Sequence, residues 1–293
     1  KLVYLGYNVT VVDNISFKRQ SLKHLFFYKN FKFINLDVRN INYMKNIYKK
    51  NDYIFPLAAL VGAPFCDKHK KKAIQINEIA IKDMIKNISK NQRVIFPNTN
   101  SGYGISKIKK PCTEEMPLNP ISLYGLTKKN AENIIQKHTN FISLRLATVF
   151  GLGYRNRKDL LVNYLIYEAI NKKKLEIYEP NFRRNFIHIR DITDTFIFCL
   201  ENFNKLKNNI YNVGLSKANL TKYELCLKIK KQIKDLKISI VKKGKDIDKR
   251  DYFVSNKKLE KKGWKPKINI DSGIKEVIEG YTNYSKNDFE RNY

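Results

Sequence analysis

Apolar residues in this chain come in short bursts between polar, lysine-rich stretches, and the bursts follow two periods. The runs 8–14, 31–38, 52–59, 93–96, 143–148 and 211–214 are rich in Val, Ile, Leu, Phe and Tyr and too short for helices. They read as strands, and several close on a polar or small residue: Asp13, Asp37, Ala59 and Thr148. Helical spacing covers Ala73 to Ile88, Tyr124 to Ile135, Asp159 to Ile170, Thr221 to Ile233 and Asp271 to Tyr284. Strands alternating with helices predict an α/β fold built on a doubly wound parallel sheet. After Phe150 the pattern loosens into a basic Gly/Tyr/Asn loop, Gly151 to Lys158, which marks a domain boundary.

The length, 293 residues, suits one large domain or two intimate ones. No apolar run approaches the ~18 residues of a membrane span, and no signal peptide is visible. Cys66, Cys112, Cys199 and Cys226 are scattered, with no zinc spacing, so no metal site is expected and a reducing cytoplasm is the expected location. The formal net charge is +30. Its lysines spread along the whole chain beside many Asn, Ile and Tyr, the mixture A/T-rich codons give. No nucleic-acid partner is therefore expected, although the charge helps to attract an anionic substrate.

Candidate chemistry concentrates between Asn98 and Lys128. Thr99 stands just past a strand end, and Tyr124 and Lys128 stand in the first turns of a helix, on one face by their i, i+4 spacing. A phenol has a pKa near ~10, and a neighbouring cation favours its phenolate. Tyr124 could then take the proton of a substrate alcohol held by Thr99. Side chains cannot accept the hydride that leaves the same carbon, so a nicotinamide cofactor is implied. Tyr28/Lys32, Tyr103/Lys107 and Tyr154/Lys158 share the Tyr-x-x-x-Lys spacing, so the spacing alone does not separate a catalytic tyrosine from a surface one.

The chain resembles the extended short-chain dehydrogenases/reductases, the NAD-dependent epimerase/dehydratase family that acts on nucleotide sugars. The resemblance rests on Pro56-Leu57-Ala58-Ala59, on Thr99 four residues before Tyr103-Gly104, and on Tyr124 with Lys128. It continues through Arg145-Leu146-Ala147-Thr148-Val149-Phe150-Gly151, Arg184-Asn185-Phe186-Ile187-His188-Ile189-Arg190-Asp191 and Gly263-Trp264-Lys265-Pro266. It implies a Rossmann-type NAD domain at 1–150, with 186–203 returning to it, and a smaller α/β nucleotide-sugar domain from 151–185 and 204–293. For NAD it implies Asp13 and Asn14 at the adenosine ribose, Asp37 and Val38 near the adenine, and Leu57, Ala58, Ala59, Asn77, Tyr124, Lys128 and Leu146 along the rest of the cofactor. For substrate it implies Thr99, Asn100, Ser101, Thr148, Asn163, Arg184 and Arg250. Arg250 is favoured over Lys249, and Arg155 and Arg157 are secondary candidates.

Two departures matter. The family's first strand and glycine-rich phosphate loop would precede residue 1, so the chain is expected to be an N-terminally truncated member. Related 4,6-dehydratases follow the Thr with Asp-Glu, where this chain has Asn100-Ser101. The resemblance therefore implies NAD-dependent oxidation at C4 of a nucleotide-diphosphate sugar, by a 4-dehydrogenase or 4-epimerase; the alternatives are a 4,6-dehydratase and, from another class, a non-catalytic nucleotide-sugar or nucleic-acid-binding protein. Within the family the motifs are most similar to GDP-heptose 4-dehydrogenases of capsule synthesis. A homodimer is expected by the same resemblance.

Overall fold

The computed structural model describes residues 1–17, 21–106, 110–241, 250–283 and the backbone of 289–290. Lys249 and Lys107 lie outside the described residues. The first half alternates as the sequence pattern predicts: β1 (Val9–Asp13), β2 (Phe31–Asn35), α1 (Ile41–Tyr48), β3 (Tyr53–Ile54), α2 (Ala63–Lys68), α3 (Lys70–Ile74), α4 (Ala80–Asn87), β4 (Arg93–Thr99), α5 (Leu123–Ile135), β5 (Phe141–Leu146). The second half holds β6 (Thr148–Phe150), β7 (Asn156–Arg157), α6 (Leu161–Lys172), β8 (Lys174–Ile177), β9 (Arg183–His188), α7 (Ile189–Glu201), α8 (Phe203–Leu206), β10 (Asn209–Val213), β11 (Asn219–Thr221), α9 (Lys222–Lys230), β12 (Lys237–Ile240), α10 (Lys257–Glu260), α11 (Ile270–Asn283) and β13 (Phe289–Glu290).

The central sheet is parallel, in the order β10-β5-β4-β3. Its strands read as near-continuous apolar runs because helices cover both faces. Along β4 the side chains alternate. Val94 and Phe96 pack with Met44, Ile81, Met84, Ala131 and Ile135 of α1, α4 and α5. Ile95 packs with Ile192, Cys199 and Leu206 of α7 and α8, in a cluster that also contains Trp264. The parallel pair β1-β2 hydrogen-bonds only within itself among the described strands, yet Val12, Leu36 and Val38 pack into the cluster of Ile54 and Phe96. The strand ends that carry Asp13, Asp37 and Thr99 thus belong to one core.

The second lobe has its own core, in which Phe150, Val162, Ile166, Phe186, Leu225, Ile229, Ile274 and Val277 are buried around the sheet β11-β9-β6. Strand β9 therefore starts in this lobe, and α7 carries the chain back to the first. The domain boundary needs correcting at 204–213. That segment was expected in the second lobe, but β10 pairs with β5, Val213 opposite Leu146, at the edge of the central sheet. Its Tyr211 and Val213 are fully buried there. The expected helix from Ala73 to Ile88 forms, with a π-helical turn over Gln75–Ile79 between α3 and α4. The apolar run 52–59 keeps only Tyr53–Ile54 in the ladder, because Pro56 has no N–H to donate.

Candidate active site

Strand β4 and helix α5 build the centre of the site. Thr99 ends β4, and its hydroxyl caps the short 3-10 turn Asn100–Tyr103 by accepting the Ser101 N–H at 3.1 Å. The Thr99 and Ser101 hydroxyls lie 2.8 Å apart. Ser122 caps α5 by accepting the Gly125 N–H at 3.2 Å, which starts the helix one residue before Tyr124. Gly125 allows α5 to lie close on the Thr99 turn: a Cβ there would stand 3.2 Å from the Ser101 carbonyl oxygen and 2.9 Å from Pro120. The first turn of α5, which carries Tyr124, is thereby set against the turn that begins at Thr99.

The other tyrosines with the same spacing do not share this setting. Tyr28 is 39% exposed, and Tyr154 is 76% exposed and stacks on His24. Tyr103 is buried, with its hydroxyl 2.8 Å from Asn212 Oδ1 and 2.9 Å from Arg145 Nη1. Burial pushes the Tyr103 phenol well above its ordinary value.

The electrostatics differ from the sequence expectation. Lys128 does sit one turn beyond Tyr124, but its ammonium faces the Phe96 ring, 4.1 Å from the centroid. Burial lowers it to about 7, with Glu132 opposing. Tyr124 is pushed up to about 12 by burial, and the cation that opposes this is Arg250. In the ligand-free protein burial therefore opposes the expected help that a neighbouring cation gives the Tyr124 phenolate. Desolvation outweighs the pairing, with Lys128 4% exposed and Tyr124 half-buried beside it.

Behind the lysine lies a buried network that the sequence reading missed. Glu132, 1% exposed, accepts from Arg145 Nη2 at 2.7 Å, Asn98 Nδ2 at 2.7 Å and Ser143 Oγ at 2.7 Å. Asn98 in turn accepts the Thr99 N–H at 2.8 Å. One carboxylate thereby ties α5 to β4 and β5. Its place four residues after Lys128 on the same helix face was the available signal.

The candidate cofactor residues line the carboxyl ends of the parallel strands, the edge where open α/β sheets bind ligands. Asp13 and Asn14 are exposed at the end of β1, and Asp13 accepts the Ile15 N–H at 2.6 Å. Asn14 donates to Asp37 at 3.1 Å, and Arg39 pairs with Asp37 at 2.7 Å. The hydrogen bonds from Arg39 hold the Asp37 carboxyl far below the usual range. Val38 packs half-buried beside them. Leu57, 64% exposed, and Ala58 offer an open apolar strip after β3, with Ala59 half-buried next to it. Leu146, half-buried, ends β5 opposite Thr99.

Acids at the first two strand ends, Asp13 exposed and Asp37 half-buried, an open small-residue strip at the third and a buried lysine suit NAD. The acids match ribose hydroxyls, and the strip admits a flat ring close to the backbone.

Asn77 departs from its expected contact with cofactor. It is 1% exposed, sits in the π-helical turn, accepts the Leu60 N–H at 2.8 Å and donates to the Leu60 carbonyl at 2.9 Å. Its amide fixes the loop after β3 and has no surface left for a ligand. Asn163 is likewise fully buried: it accepts the Gly151 N–H and donates to the carbonyls of Gly151 and Arg157, each at 3.1 Å. Its expected substrate contact is replaced by a hold on the 151–158 loop.

Thr148 is half-buried at the start of β6. Arg184, 3% exposed, donates to the Arg183 carbonyl at 3.0 Å and lies over the Tyr252 ring. Arg250 reaches across from the second lobe and donates to the Ser101 hydroxyl. Of the secondary candidates, Arg157 pairs with Asp159 at 2.5 Å and Arg155 covers the Phe17 ring. Asn100 is fully buried in the Thr99 turn, and its amide atoms make no hydrogen bond among the described residues.

A doubly wound sheet with a Thr, Tyr and Lys at one strand end and helix defines a dinucleotide-dependent oxidoreductase-type fold. Comparison with known proteins narrows this. The model of the NAD dependent epimerase/dehydratase family matches residues 1–214, and the chain belongs to that family. It is therefore an enzyme that works with NAD.

A relative described as a putative UDP-glucose 4-epimerase, from Methanocaldococcus jannaschii, is 24% identical over 98% of this chain and 94% of its own length. Among solved structures, UDP-glucuronic acid 4-epimerase from Bacillus cereus, in complex with UDP-glucuronic acid and NAD, superposes with a TM-score of 0.83. That match has 20% identity and covers 96% of this chain and 93% of the other. The dTDP-glucose 4,6-dehydratase from Bacillus anthracis, in complex with NAD, gives a TM-score of 0.82 at 20% identity, over 98% of this chain and 91% of the other.

Proposed function

We propose that this enzyme oxidises the C4 hydroxyl of a nucleotide-diphosphate sugar and either releases the 4-keto sugar or returns hydrogen to the opposite face. The observation that carries this is the close packing of the first turn of α5, which bears Tyr124, against the turn at Thr99, with Lys128 buried one turn further along the same helix. Thr99 and Tyr124 hold the substrate oxygen between two hydroxyls, and Tyr124 takes its proton. NAD, when bound, supplies the acceptor for the hydrogen and electron pair that leave the carbon. Asp13, Asn14, Asp37 and Val38 hold its adenosine half. Leu57, Ala58, Ala59 and Leu146 flank the remainder, and Lys128 takes the nicotinamide ribose. Asn77 and Asn163 position the loops around the two ligands.

Thr148 and Arg184 serve the substrate, and a guanidinium suits a diphosphate. The named substrates of the relatives and structural neighbours, UDP-glucose and UDP-glucuronic acid, support a nucleotide sugar. The motif resemblance makes a GDP-heptose for surface polysaccharide the first candidate. Exposed Leu126 on α5 and Ile79 before α4 support a homodimer. Among the described residues no helix is long and apolar enough to cross a membrane. That is in keeping with the cytoplasmic location we propose.

Asn100 and Ser101 decide against dehydration, because neither exchanges a proton readily near neutral pH. The test is product mass after incubation of the NAD-loaded protein with a panel of nucleotide sugars. A loss of two hydrogens, or an unchanged mass with inverted C4, is expected. Loss of water would overturn the reading.

A further inference from the structure

Thr99 is held through its backbone as well as its side chain. Its hydroxyl accepts the Ser101 N–H at 3.1 Å, while its own N–H donates to Asn98 Oδ1 at 2.8 Å. The other end of that amide, Asn98 Nδ2, donates to Glu132 Oε2 at 2.7 Å. Asn98 is 3% exposed, so protein groups set its surroundings.

An amide donates at one end and accepts at the other, and its neighbours decide which way round it sits. A carboxylate offers acceptors alone. Glu132 is fixed from β5: Arg145 Nη2 reaches its Oε1 at 2.7 Å and Ser143 Oγ reaches its Oε2 at 2.7 Å. Arg145 is anchored in turn by the Tyr103 hydroxyl at 2.9 Å and the Glu114 carbonyl at 3.1 Å. The Asn98 NH2 must therefore face α5, which turns its oxygen to the Thr99 N–H. Reversed, the amide would set its NH2 against that N–H, donor against donor.

We propose that Asn98 and Glu132 are positioning residues for Thr99: the carboxylate sets the direction of the Asn98 amide, and the amide oxygen holds the peptide from which Thr99 presents its hydroxyl to substrate. Both act through Thr99. The helix that bears Tyr124 thus also sets the end of β4, so the two groups assigned to the substrate oxygen share one support. This rests on the reading of Thr99 as a group that holds the substrate alcohol.

The test moves the charge from one position to the other. In Glu132→Gln the new carbonyl turns to Arg145, which only donates, and the new NH2 turns to Asn98 and forces its amide to reverse. Adding Asn98→Asp restores an acceptor for both the Gln NH2 and the Thr99 N–H. In the NAD-loaded protein, hydrogen exchange of the Thr99 amide is read by NMR. It should speed up about tenfold or more in Glu132→Gln and return towards the parent rate in the double variant. Asn98→Ala leaves the Arg145–Glu132 pair intact and should give the same faster exchange, so the reading survives if Glu132→Gln does not fold.

Turnover is then measured with the nucleotide sugar of the panel that the parent converts. Glu132→Gln and Asn98→Ala should each lower kcat about tenfold with KM within a factor of about two, and the charge-swapped double variant should recover most of it. In a Thr99→Ala background either change should cost less than about twofold, because the hydroxyl it aims is gone. An unmoved Thr99 amide, or a double variant no better than Glu132→Gln, overturns the proposal. The two readings fail separately. A Thr99→Ala protein that turns over at the parent rate sinks the role of Thr99 at the substrate. A slow Thr99→Ala protein that Asn98→Ala slows by the same factor again sinks only the positioning.

Discussion

Glu132 lies one turn beyond Lys128 on α5, and its buried carboxylate is clasped from the sheet side by Arg145, Nη2 to Oε1 at 2.7 Å. Its charge raises the lysine's affinity for a proton while its hydrogen bonds reach Asn98 and, through it, Thr99. Breaking such a pair leaves an uncompensated charge in the core. Arg145→Met should cost about 3–5 kcal/mol of stability. Adding Glu132→Gln should recover part of that loss, because the stranded charge goes with it. Urea unfolding of the two single variants and the double reads this as a coupling energy. Strictly additive effects would show that the pair is not coupled.

Lys128 gives the ligand-free protein a pH dependence whose sign is fixed. Its folded value is lowered to about 7, below the ordinary lysine value that it has when unfolded. Between those two values the unfolded chain binds more protons, so this group makes stability rise as pH rises through that window. Below about 7 the charged lysine imposes its full desolvation cost. Lys128→Met should remove this part of the slope and stabilise the ligand-free protein at neutral pH, while weakening NAD binding and turnover. Thermal melts across the window, with and without NAD, check both halves. A variant less stable than the parent at neutral pH would contradict the account.

Asn77→Leu conserves shape but leaves the Leu60 N–H without its partner and the Leu60 carbonyl with only the weak Cys66 thiol donor. Each unsatisfied buried group costs about 1–3 kcal/mol, so the loop after β3 should loosen first. NAD affinity should drop about tenfold or more, as about 1.4 kcal/mol of loop order corresponds to tenfold. Fluorescence titration of NAD reads the loss. Unchanged affinity would mean that Leu57, Ala58 and Ala59 are held by other means.

The fold was legible, and so was the placing of the candidate residues Thr99, Tyr124 and Lys128, for physical reasons that are local. Thr99 follows a buried strand, and Tyr124 and Lys128 share a helix face by spacing alone. The amides were not legible: Asn77 and Asn163 match positions that suggest ligand contact, and only their burial shows them holding backbone. Strand β10 was misassigned because a five-residue run does not announce which sheet it joins. The reach of Arg250 to Ser101 depends on a crossing of segments, Asp251 beside Ile105 and Val254 beside Cys112, that no periodicity encodes. Nor could spacing reveal that burial moves Tyr124 and Lys128 towards their neutral forms, because desolvation is a property of the packed core.

The most direct test of the central claim is the single-turnover rate of NAD reduction in Tyr124→Phe, measured with the nucleotide sugar that the parent converts. The ring is conserved and only the proton acceptor is removed. The rate should fall about a hundredfold to ten-thousandfold while NAD affinity stays within a factor of about two. A Tyr124→Phe protein that reduces NAD as fast as the parent, while Tyr28→Phe or Tyr154→Phe does not, would contradict the assignment of this site.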